Sequence, residues 1–489
     1  MFEQIRTRYP GAQPFMDDAL SRKLFYGREQ ESTALAHQIL ANRLVVLFAR
    51  SGLGKTSLLN AGAVDKLRAE LYLPLVVRVN DSDQGPLASI YCGIEEVCAR
   101  QSIEYIPGDK TSLWHFFKSA QFWSKDILLT PVLILDQFEE LFTLNSVQQR
   151  SAFLDQFSCL ARGVRPKEFD APAALAGESC SGYSDSAPMI KIVISLREDF
   201  LAQLEEISDR VPEILDQRFR LLPLGREAAA QALDAPAGID DPTLVTRPFK
   251  IDPMAKGAIL DFLERRVSAS TRRSTENIEP FQLQLICQHV EEIAENAQRK
   301  GAQGTVTVGI TEIGGKSKLG KILKEFYKRQ VAAVPSFLQR RGARKLCSEF
   351  LINPQGRRLR MEESEIQRHT RVKPQTLQIL VDRRLLRRDQ TADGDYYELS
   401  HDSLVIPIVD SRRFSFLIRT ASLLALVLIG GIIAAYSVLA LEVLGAIGRL
   451  TGAGYALLAV PAAVLWVIVR WGIRNFRECI EMWRRFRIE

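Results

Sequence analysis

The octapeptide Ala49-Arg-Ser-Gly-Leu-Gly-Lys-Thr56 holds the residue types that grip a polyphosphate. Gly52 and Gly54 let the chain curl so that successive backbone N–H groups point at phosphate oxygens. The helix that begins behind them adds the positive end of its dipole. Lys55 is placed to reach the β- and γ-phosphates, and the Thr56 hydroxyl to ligate Mg²⁺. The pattern departs from a full P-loop at its first position, where Ala49 stands for glycine. A second metal contact is expected from an acidic residue at the end of an apolar strand. Asp136, in Pro131-Val-Leu-Ile-Leu-Asp-Gln-Phe-Glu-Glu140, sits there. Hydrolysis further needs a group that polarises water. Gln137 follows Asp136 where many P-loop ATPases carry glutamate, which leaves Glu139 and Glu140 as candidates. Both also suit the N-terminus of a following helix, and that structural alternative stays open. Arg197 ends another apolar run, in Ser195-Leu-Arg-Glu-Asp-Phe200. Ligands in open α/β sheets bind beyond the strand C-termini. Arg197 is thus a candidate γ-phosphate sensor, with a structural pair to Asp199 or Glu198 as the alternative.

These side chains need a parallel sheet to bring them together. Short apolar runs at 43–48, 75–79, 132–135 and 190–196 are separated by helical stretches, which indicates buried parallel strands with crossover helices. Residues 218–222 make a plausible fifth strand. The Ala/Ser/Gly/Pro-rich stretch 164–188 reads as an exposed insertion. Residues 225–300 carry amphipathic helical runs, and 311–410 read as short helices closed by a β-hairpin, the pattern of a winged helix.

The chain has 489 residues, 46 % of them hydrophobic and 25 % charged, which excludes a disordered chain. The formal charge of +6 is too small to argue for nucleic acid by itself, so its distribution matters more. Fourteen Arg and Lys lie between Arg340 and Arg388. That patch suits DNA, anionic headgroups, an intramolecular contact or a solvated face. Seven cysteines without a C-x-x-C pair argue against a zinc ribbon or a disulfide framework. No apolar segment follows the first basic residues, so no signal peptide is expected and the folded part is expected in the cytoplasm.

Several segments together resemble the novel STAND NTPases, signal-transduction ATPases with numerous domains. They are Tyr9-Pro-Gly11, Pro14-Phe15, Phe25-Tyr-Gly-Arg-Glu29, the run Asp136–Phe142, Leu196–Phe200 and Arg220-Leu-Leu-Pro-Leu224. The resemblance covers about residues 9–410. It implies that Tyr26, Gly27 and Arg28 lie near the adenine of ATP or ADP. It places Ser51, Gly52, Leu53, Gly54, Lys55, Thr56 and Ser57 on the phosphates. Thr56 and Asp136 would serve Mg²⁺ and Arg197 would be a sensor. His401, in Glu398-Leu-Ser-His-Asp-Ser-Leu404, would contact phosphates in a closed state.

Residues 420–441 and 451–469 are uncharged and apolar, about the length that crosses a bilayer. Arginines flank both on the outer sides, which predicts both ends in the cytoplasm. The expected fold class is an α/β P-loop NTPase with an AAA+/STAND-like parallel sheet (1–230). An α-helical lid (231–310), a winged-helix domain (311–411) and a transmembrane α-hairpin with a basic tail (412–489) would follow. The expected protein is a two-span inner-membrane ATP-binding switch. Its partners would be the lipid bilayer, copies of itself and an unknown trigger, and the resemblance implies anti-phage defence. The alternatives are a membrane-tethered nucleic-acid-binding ATPase and a non-hydrolysing nucleotide sensor.

Overall fold

The computed structural model describes residues 6–79, 85–166, 183–270, 278–302, 304–353, 356–391, 394–401 and 404–411. Five strands form the central sheet: β1 (Leu44–Ala49), β2 (Tyr72–Arg78), β3 (Thr130–Asp136), β4 (Lys191–Arg197) and β5 (Arg218–Arg220). Their order is β2-β3-β4-β1-β5, and every pairing is parallel. All six residues of β1 are buried, as a sheet covered on both faces requires. Val46, Phe48, Leu133, Leu135, Ile192 and Ile194 pack with helices Pro86–Gln101 and Val147–Arg162. Val45, Leu47, Val132, Ile134 and Val193 pack instead with helix α1 (Glu29–Ala41) and the helix behind the P-loop. That helix, α2, starts at Lys55–Ser57 and runs on to Ala69 through a π-helical segment, Leu58–Ala63. The strand order sets the site: β4 lies between β1 and β3, so Arg197 ends between the P-loop and Asp136.

β3 turns into a short helix, α3 (Glu140–Leu144). Beyond β5, helices Arg226–Asp234, Pro253–Ser270, α4 (Pro280–Arg299) and Gly315–Ala332 contribute to a second core. The N-terminal strap is stapled into it. Arg8 is fully buried and donates to the Thr246 hydroxyl and to the carbonyls of Pro236, Ile239 and Thr246. The Glu291 carboxylate accepts from the backbone N–H groups of Arg8 and Tyr9. A third core holds helices Phe337–Lys345 and Glu363–Thr370 and helix α5 (Pro374–Asp382), with a sheet of β6 (Met361–Glu362), β7 (Leu386–Thr391) and β8 (Gly394–Leu399). β7 and β8 are the antiparallel hairpin expected of a winged helix.

Two features were not anticipated. A small antiparallel sheet, Glu104–Ile106, Gln121–Ser124 and Ile127–Leu128, is inserted before β3. A parallel pair, Phe249–Ile251 with Val306–Val308, sits in the helical part. Strands of two to four residues are too short to show a period.

The fold class needs one correction. Among the described residues no helix is long and apolar enough to cross a membrane. The long helices are amphipathic instead: α4 carries Glu291, Glu292, Glu295 and Arg299, and Gly315–Ala332 carries Lys321, Lys324, Glu325, Lys328 and Arg329. Charges at that density cost far too much in hydrocarbon. The expected transmembrane α-hairpin at 412–489 lies outside the described residues. The fold is therefore a parallel-sheet P-loop fold with helical and winged-helix parts, and the expectation of a two-span inner-membrane protein is withdrawn with the hairpin.

Candidate nucleotide site

The P-loop leaves β1 at Ala49 and enters α2 at Lys55. Gly52 and Gly54 have φ of +84° and +90°, a left-handed region that side chains rarely adopt. Leu53 is buried and anchors the loop from below. Among the described residues the Lys55 ammonium donates to the Ala49 carbonyl, at 3.4 Å. Burial lowers its pKa, while Glu139 and Asp136 pull the other way. A desolvated ammonium at the end of the loop suits an anionic ligand.

The Thr56 hydroxyl donates to Asp136 Oδ2 at 2.8 Å, and the Ser195 hydroxyl donates to Asp136 Oδ1 at 2.7 Å. Two oxygens from two elements thus meet at the mouth of the loop, a donor set suited to a hard dication that keeps waters and phosphates as its other ligands. Among the described residues no group of three or more His, Cys, Asp or Glu forms a metal cluster. Sequence reasoning missed Ser195, because its partner lies on a neighbouring strand.

The loop opens into a cavity of about 400 Å³ lined by Tyr26, Arg28, Ser51 to Ser57, Asp136, Gln137, Glu139, Glu140, Arg197 and His401. Every predicted site residue except Gly27 lines it. Gly27 stands next to that wall, its N–H donating to Glu29. Arg28 pairs with Glu31 at 2.5 Å and donates to the Leu222 carbonyl at 2.7 Å, tying α1 to the chain after β5. The Ser57 hydroxyl accepts from the Phe15 N–H at 3.2 Å, which makes the N-terminal strap a wall of the cavity.

The far wall is the winged helix. His401 stacks on Phe281 with ring centroids 3.7 Å apart. A Cβ added at Gly52 would come within 2.6 Å of His401 Nδ1, so glycine is required there for contact as well as for φ. Burial, then Arg358, Arg384 and Arg387, push the imidazole down to about 3, which keeps it neutral. Arg197 Nη1 donates to Glu398 at 2.8 Å and Nη2 to Asp199 at 2.6 Å. Burial lowers this guanidinium, but Glu398 and Asp199 outweigh it and hold the pKa above its usual value. The Arg197 N–H donates to Glu139, whose other oxygen accepts from Arg387 at 3.3 Å. Glu139 is thereby engaged on both oxygens. Glu140 has no such bond among the described residues, and burial pushes its carboxyl up to about 7. Arg387 and Glu398 were missed as site residues, since nothing in the hairpin sequence signals a partner some 200 residues away.

The basic patch is divided. Arg384, Arg387 and Arg388 line the cavity, the last pairing with Asp395 at 2.6 Å, and Arg358 meets Glu398 at 3.6 Å. Helix α5 (PQTLQILVD) carries no basic residue.

Residues 9–246 match the family model Novel STAND NTPase 1. That supports the STAND NTPase family for this segment. The match supports a nucleotide-binding P-loop NTPase for this segment, and it lends no support to membrane anchoring or an anti-phage role. No curated protein matches the chain. Distant structural likenesses include a Walker-type ATPase of Pyrococcus abyssi, with 11 % identity and TM-score 0.39, covering 83 % of this chain and 99 % of that one. The ORC2 protein of Aeropyrum pernix with ADPNP and ADP has 12 % identity and TM-score 0.38, covering 78 % and 93 %. Cdc6p of Pyrobaculum aerophilum has 14 % identity and TM-score 0.35, covering 79 % and 94 %.

Proposed function

We propose that the chain is an ATP-gated conformational switch with slow hydrolysis, in which the winged helix closes the nucleotide site. One observation carries this reading. Arg387 and Glu398 face each other across the hairpin, yet each bonds an NTPase residue, Arg387 to Glu139 and Glu398 to Arg197. The hairpin thus occupies Arg197, the cation that a γ-phosphate would draw, together with the neighbouring Glu139.

Lys55 and the loop N–H groups bind the phosphates. Thr56 and Asp136 would hold Mg²⁺, which would supply charge neutralisation for the phosphates. Glu140 takes the proton of the attacking water. A γ-phosphate draws Arg197 away from Glu398, so ATP and ADP bind the closed form with different affinity. Only such a difference lets a ligand shift an equilibrium. Opening frees the hairpin face for association of copies of the chain, and a trigger acts by loosening the same contact.

The test is hydrogen exchange at β7 and β8, with the oligomeric mass, in ADP and in ATP with Mg²⁺, for the wild type and Lys55→Ala. Protection that falls with ATP alone, and never in the variant, is expected. Equal protection and mass in all conditions would sink the switch.

A further inference from the structure

Gln137 stands at the one strained position of the acidic turn. Its φ is +59°, in the left-handed region where glycine or asparagine is expected. The surroundings hold it there. Asp136 before it is fixed by Thr56 and Ser195. Phe138 after it is fully buried against Phe142, Phe153 and Phe157, and its N–H donates to the Ser195 carbonyl at 2.8 Å. The Gln137 carbonyl accepts from the Glu140 N–H at 2.9 Å, which closes the turn into α3. The side chain lines the cavity beside Asp136, Glu139 and Glu140. No described residue hydrogen-bonds its amide. Backbone strain kept at a site, on a long polar side chain rather than glycine, points to work done by that side chain.

We propose that Gln137 is the positioning residue for the attacking water of NTP hydrolysis, a role that rests on the nucleotide-site reading above. Its amide oxygen accepts from the water and its NH₂ donates to a γ-phosphate oxygen, which lines the water up with the bond to be broken. The water oxygen bonds to the γ-phosphorus. The bond from that phosphorus to the β-bridging oxygen breaks, and its electron pair stays on the nucleoside diphosphate. The water proton passes to Glu140, and inorganic phosphate leaves. The amide is too weak a base to take the proton, so it orients and does not transfer.

The test compares wild type, Gln137→Gly and Gln137→Asn. Glycine relieves the strain and removes the arm; asparagine tolerates the same φ with an arm one methylene shorter. The readouts are kcat, KM, ADP affinity, affinity for ADP with aluminium fluoride as a mimic of the transferring phosphoryl group, and Tm. Gln137→Gly is expected to lower kcat and fluoride-complex affinity by about tenfold or more. KM and ADP affinity stay within about twofold, since ground-state contacts are untouched. Tm rises with the relief of strain. Gln137→Asn is expected to lose kcat too, and it carries the comparison if the glycine variant does not fold. A raised Tm with wild-type kcat and fluoride affinity overturns the proposal. Wild-type protein that binds ATP without turning it over overturns it as well, and leaves the nucleotide site standing. Failure to bind any nucleotide sinks both.

Discussion

Replacing Glu398 with glutamine should open the closed form, and the size of the effect follows from the geometry. Glu398 and Arg197 are 2.8 Å apart with side chains 11 % and 10 % exposed. Removing one partner of a buried pair costs about 3–5 kcal/mol. Arg197 keeps Asp199, but that carboxylate is 60 % exposed, so it compensates by only about 1 kcal/mol. Glutamine also retains an acceptor. The closed form should therefore lose about 2 kcal/mol relative to an open form in which both groups are hydrated. That is about a 30-fold shift in the equilibrium. A population about 1 % open would become about a quarter open. The assay is hydrogen exchange at β7 and β8 together with ATP turnover. Both should rise about 20-fold if the open form is the competent one. Arg387→Gln should act in the same direction but more weakly, because its contact with Glu139 is 3.3 Å and Arg387 is 21 % exposed. Glu398→Gln that lowers Tm while leaving exchange and turnover at wild-type values would refute the reasoning.

Other outcomes follow from neighbouring residues. His401 titrates normally near 6.5 but is held near 3 in the closed form, so the opened imidazole takes up a proton first as the pH falls. Closure is therefore complete above pH 6.5 and weakens toward pH 3, and His401→Gln should flatten the exchange-versus-pH curve. Glu140, raised from 4.5 to about 7, gives turnover that climbs with pH through about 7. Glu140→Gln should abolish turnover, whereas Glu139→Gln should keep that pH limb; the opposite pattern would reassign the base. The same shift makes the fold lose stability between pH 4.5 and about 7, a loss that Glu140→Gln removes in thermal melts. Gly52→Ala puts a Cβ 2.6 Å from His401 Nδ1 at a φ of +84° and should cost about 1–2 kcal/mol in backbone strain alone, read as weaker nucleotide binding by calorimetry. Arg8→Met strands three carbonyls, two of them buried, and should cost about 3–5 kcal/mol in a denaturant melt.

The legible parts were those written in local spacing. The P-loop, the strand that ends in Asp136 and the hairpin after α5 each occupy one continuous segment whose pattern reports its conformation. The small sheet before β3 was not legible, because its strands are shorter than any periodicity. The basic stretch at 340–388 was legible as charge but not as direction. Only packing shows that Arg384, Arg387 and Arg388 line the nucleotide cavity while Arg358 meets Glu398.

Sequence alone placed a P-loop at Gly52–Thr56 and an acidic residue, Asp136, at the end of a nearby strand, because those residues sit at fixed offsets from strand ends. It could not separate Glu139 from Glu140, and it offered Asp199 as a partner of Arg197, as found, but not Glu398. Those choices were made by contacts between residues 248 and 201 positions apart, Glu139 with Arg387 and Arg197 with Glu398. No spacing rule spans such distances. They exist because the second and third cores pack the winged helix against the C-terminal edge of the sheet, and that docking is a property of the folded surfaces.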